Sequence, residues 1–76
     1  MVTMETTVRR TTLYAAFTGT GEPVLNVYGW NKGRLATLLA DRAANGEAFP
    51  GEHAVRITVS YYNRILAGRN WPQVVR

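Results

Sequence analysis

The chain has no cysteine among its 76 residues. That excludes a disulfide scaffold and a thiolate metal site, and the expected compartment is the reducing cytoplasm. Histidine is nearly absent too. His53, the one copy, stands beside Glu52 in a Pro-Gly turn. A metal needs several convergent ligands, so neither a metal nor a cofactor is expected. No apolar run approaches the roughly 18 residues that a membrane span needs, and no membrane partner is expected. The opening stretch, MVTMETTVRR, lacks the apolar segment of a secretory signal. Repeats, linkers and low-complexity segments are missing as well.

Catalytic signatures are equally scarce. Gly19-Thr20-Gly21 has the look of a phosphate loop, but such loops enter a helix whose amides converge on the anion. Here the loop enters a strand-like segment, and a hairpin turn is the better reading. Ser60, His53 and Asp41 have no spacing that supports a triad, which is defined by geometry. Glu47 and Glu52 share one loop and read as solvated rather than as an acid–base pair. The expectation is a non-enzymatic protein.

What is present begins with charge. Nine Lys and Arg oppose five Asp and Glu, a net charge of +4 with a pI near 10.1. Eight of the nine cations are arginine, whose planar fork suits phosphate, carboxylate and aromatic faces. Such a charge either serves solubility or favours an anionic partner, nucleic acid or an acidic protein surface. The cations form no dense helical stripe, so major-groove reading by a helix is disfavoured. A chain this short has a thin core, and homodimerisation is one way to add burial.

Residues 1–5 read as a disordered N-terminus, and residues 6–76 as one small α+β domain. Thr6 to Thr18 is rich in Thr, Val, Tyr and Phe and predicts a strand. Gly19 to Pro23 predicts a turn, and Val24 to Trp30 a second strand. Asn31 to Asn45 predicts a helix, with Asn31 as N-cap and Gly46 as stop. Its apolar stripe is Leu35, Leu38, Leu39 and Ala43. Phe49-Pro50-Gly51-Glu52 fits a type II turn. Ala54 to Tyr61 alternates as a third strand. Residues 63–76 stay open, and the stretch from Ser60 to Leu66 fits either a short helix or more strand. Val74-Val75 fits an edge strand. The predicted architecture is a two-layer β-β-α-β domain: a three-stranded antiparallel sheet, or four-stranded with the tail, under one helix.

Pairing Thr18 with Val24 sets Ala15 opposite Val27 and Tyr14 opposite Tyr28. Parity then assigns Leu13, Ala15, Phe17, Leu25 and Val27 to the face under the helix, with Val55, Ile57 and Val59 from the third strand. The opposite face carries Arg10, Tyr14, Tyr28, Trp30 and Arg56, with Lys32 and Arg34 at its margin. Tyr14 opposite Tyr28 fits a stabilising cross-strand pair, with Trp30 covered by the helix start or the tail; exposed rings and arginines otherwise serve two ends. Rings stack on bases while Arg contacts phosphate, and Tyr, Trp and Arg dominate protein hot spots. Those seven residues are the candidate partner-binding set.

The hairpin LYAAFTG…PVLNVYGW, the single helix GRLATLLADRAANG, the small size and the lack of an active site give the chain a layout that resembles small phage-encoded inhibitors of the anti-CRISPR type. The resemblance implies steric occlusion of a larger protein or nucleoprotein complex and carries over no residue. A small basic nucleic-acid binder using the same sheet face is the alternative.

Overall fold

The computed structural model describes residues 11–74. Expectations for residues 1–10, including the role of Arg10 and a strand start at Thr6, lie outside the described residues, as does Val75.

Three strands and two helices are described, in the order β1 (Thr12–Phe17), β2 (Pro23–Gly29), α1 (Lys32–Ala44), β3 (His53–Thr58) and α2 (Val59–Gly68). The sheet is antiparallel with order β2-β1-β3, so the expected α+β class and three-stranded sheet stand. β1 is central because its side chains suit burial on both faces: Leu13, Ala15 and Ala16 are fully buried. The hairpin turn is tied by Thr18, whose N–H donates to Glu22 O at 2.8 Å and whose Oγ1 accepts from the N–H groups of Thr20 and Glu22.

α1 starts where Asn31 Oδ1 accepts from Arg34 N–H at 2.8 Å and stops at Gly46, which takes φ +73°. The Pro50-Gly51 turn forms as predicted, with Gly51 at φ +72° and Glu52 N–H donating to Phe49 O at 3.1 Å. It docks on the hairpin turn, where Gly19 N–H donates to Pro50 O at 3.0 Å. A Cβ on Gly51 would stand 2.7 Å from Gly19 Cα, so this approach requires glycine.

The third strand is shorter than its alternation suggests. Thr58 Oγ1 accepts from Tyr61 N–H at 3.1 Å, which caps α2 and turns Val59 to Gly68 into a helix. Its buried side is Val59, Tyr62 and Leu66. The tail then folds back over α2. Asn63 imitates a strand partner, donating Nδ2 to Val74 O and accepting Val74 N–H at Oδ1. Val74 is buried there, outside any strand.

The face assignment is corrected. α1 covers the side of the sheet that holds Tyr14, Ala16, Val24, Val27 and Ala54, packing through Leu35, Leu38 and Leu39. The side with Leu13 and Ala15 is covered by Val59, Tyr62, Leu66 and Val74, and Phe17, Tyr28, Trp30, Ile57 and Trp71 pack around them. The reason is register. Ala15, not Tyr14, pairs with Tyr28, and an irregularity between Ala15 and Phe17 shifts the ladder to Phe17 opposite Pro23. Extra β2 residues are accommodated there, with Asn26 at φ +63°. Val24 and Val27 both reach the α1 core, and Leu25 is left 45% exposed rather than buried.

Candidate interaction site

The seven candidate residues do not share one open face. Tyr28 and Trp30 belong to the core under α2. Their rings meet edge-on with centroids 6.3 Å apart, and Tyr28 lies 5.9 Å from Tyr62. Tyr14 is half-buried on the opposite face, against the Leu35 cluster. No flat platform of Tyr14, Tyr28 and Trp30 exists for stacking bases, because helices flank the sheet on both sides.

Three of the seven, Tyr14, Arg34 and Arg56, come together on the α1 side. Gly29, Tyr14 and Arg56 form one row across the sheet. At about 4.8 Å between strands, that row spans roughly 10 Å. The first turn of α1 sits over its Gly29 end: a Cβ on Gly29 would meet Leu35 N at 3.2 Å and Arg34 Cβ at 3.5 Å. Arg34 and Arg56 therefore stand at the two ends of a row centred on Tyr14, and Lys32 lies one helical half-turn before Arg34. Lys32, Arg34 and Arg56 are all exposed.

Ion pairing divides the cations. Arg42 Nε lies 2.9 Å from Glu52 Oε1, and its Nη2 donates to Glu52 Oε2 and to Glu47 O. The Glu52 side chain is only 3% exposed, and the Arg42 bond holds its carboxyl below the usual carboxylate range. The same bond, opposed by burial, raises the Arg42 guanidinium. This pair occupies the place that the predicted stripe gave to Ala43, which is exposed. Arg69 pairs with Glu22 at 2.8 Å on the surface. Among the described residues, Lys32, Arg34, Arg56 and Arg64 are in no ion pair, and Arg64 stands apart on α2.

Sequence reasoning missed two features. One is a groove of about 400 Å³ between α1 and the outer edge of β2, lined by Tyr28, Gly29, Arg34, Thr37, Leu38 and Asp41. Its helical wall repeats at i, i+3, i+4 and i+7, a spacing visible in the sequence; that the wall faces a strand edge with no neighbour among the described residues is not. The other is the Tyr62 hydroxyl, fully buried with no hydrogen-bond partner.

The discounted triad is not assembled. His53 opens β3, where its Nδ1 lies 2.9 Å from Gly51 O, while Ser60 follows the other end of that strand, roughly 20 Å away by strand rise. No family model matches the chain, and neither a search of curated proteins nor one of solved structures returns a match.

Proposed function

We propose that this chain is a non-enzymatic binding protein that occludes an anionic surface on a larger protein or nucleoprotein complex, as its resemblance to anti-CRISPR-type inhibitors implies. The observation that supports this reading is the contrast among the cations. Arg42 and Arg69 are engaged by Glu52 and Glu22, whereas Lys32, Arg34 and Arg56, like Arg64 on α2, stand exposed without carboxylate partners. Arginine in such a position keeps its planar donor fork for a partner's carboxylate or phosphate. The half-buried ring of Tyr14 between Arg34 and Arg56 adds a firm amphipathic contact at low entropic cost. Tyr28 and Trp30 support the site from within, by fixing the end of β2 from which α1 departs.

The test compares wild type with Lys32→Gln/Arg34→Gln/Arg56→Gln on beads, in one host lysate at about 0.1 M salt, where surface charges act over about 10 Å. Wild type is expected to retain a large assembly that the variant releases. The purified chain should then block that assembly from its own ligand. Equal recovery by both chains, or recovery of nucleic acid alone, would overturn the proposal.

A further inference from the structure

We infer that the groove between α1 and β2 takes an extended segment of another protein, added antiparallel to β2 and reading acidic–apolar–basic from its N-terminus. Strand parity decides which backbone groups of β2 face outward. Val59 N–H donates to Thr11 O at 2.9 Å, in the register that pairs Thr12 with Thr58. The backbone groups of odd-numbered β1 residues therefore face β3, and those of Tyr14 face β2. Tyr14 pairs with Gly29, so Gly29 bonds inward and the N–H and C=O of Tyr28 turn to the outer edge. β2 has a neighbour on one side only among the described residues. The irregular stretch around Asn26 keeps a long strand from adding there, which confines a guest to a few residues.

Side-chain direction fixes the guest's chemistry. A guest residue bonded to Tyr28 points to the same face as Tyr28, beside the half-buried Tyr28 and Trp30 rings, and an apolar residue suits it. Its two neighbours point to the α1 side. α1 runs from Gly29 back toward the hairpin turn, as Gly29 against Leu35 at its start and Arg42 against Glu52 near its end require. Arg34 thus sits at the guest's N-terminal side and Asp41 at its C-terminal side. The two are about 10 Å apart along the helix, within reach of side chains on residues two apart in an extended chain. Both are exposed and in no ion pair among the described residues. An acidic residue before the apolar one and a basic residue after it complement this wall.

A second copy is the wrong occupant. None of Glu5, Glu22, Asp41, Glu47 and Glu52 has Lys or Arg two residues later, so the chain lacks the tripeptide it would bind.

The test is an NMR titration of the full chain with capped peptides centred on Glu-Leu-Lys and on Lys-Leu-Glu, following the amides of Tyr28, Gly29 and Leu38. The first peptide is expected to shift them saturably, with about tenfold or greater preference over the second, as charge complementarity allows. Arg34→Glu with Asp41→Lys should invert that preference; both positions are exposed, and an unchanged circular dichroism spectrum checks the fold. Arg56→Gln should leave the titration unchanged, which separates this inference from the anionic-surface proposal. Equal affinity for both peptides, shifts centred elsewhere, or none at several millimolar peptide would overturn it.

Discussion

Tyr62 carries the clearest consequence of a single atom. Its ring fills the core under α2, fully buried, yet its hydroxyl lacks a hydrogen-bond partner. Burial, with a smaller effect of Tyr28, pushes this phenol up to about 12. The folded value lies above the unfolded one. The stabilisation is therefore complete below about pH 10 and is lost as pH rises from there toward 12. Tyr62→Phe keeps the ring and removes the orphaned group. It is expected to leave stability at pH 7 unchanged or to raise it by about 1–3 kcal/mol, because an unmet buried polar group costs that much. It should also remove part of the alkaline loss. Thermal melts of both chains at pH 7 and pH 11 check this, and a clear loss of stability at pH 7 would mean that the hydroxyl is bonded.

The Arg42–Glu52 pair links two elements, the end of α1 and the loop that leads into β3. Glu52 titrates below an ordinary carboxylate when folded, so its contribution is present above about pH 4.3 and is lost as pH falls through the lower folded value. Glu52→Gln should lower stability at pH 7 by about 1.5–3 kcal/mol, the size of a hydrogen bond to a charged group. It should also flatten the acid limb of a stability-versus-pH curve, and an unchanged acid limb would remove Glu52 from this role. The elements themselves were largely legible in the sequence. Asn31, Gly46 and Pro50-Gly51 each carry a local signal that tertiary context did not override. The start of α2 was not legible, because threonine is both a strand former and an N-cap, and Thr58 serves as both. The face assignment failed at β2. Parity arguments assume a regular ladder, and Asn26 in the left-handed region breaks it.

At the scale of the whole molecule, those two misread points act together. An irregular β2 turns Tyr28 and Trp30 inward with Leu13, and an unforeseen α2 covers them. The surfaces proposed for recognition therefore lie at the cationic end of α1 and in the groove beside it, not on a sheet face. Lys32, Arg34, Tyr14 and Arg56 were identifiable as candidates from residue type and alternation. The proximity of Arg34, Tyr14 and Arg56 depends on α1 folding back over the row that ends at Gly29, which no local pattern encodes. The most direct measurement of this arrangement is a nuclear Overhauser spectrum of the intact chain. Cross-peaks from the Tyr62 ring to the Leu13 and Ala15 methyls, with Leu35 methyls contacting Val27 and Ala16, are predicted. Leu35 methyls contacting Leu13 and Ala15 instead, with the Tyr62 ring in water, would contradict it.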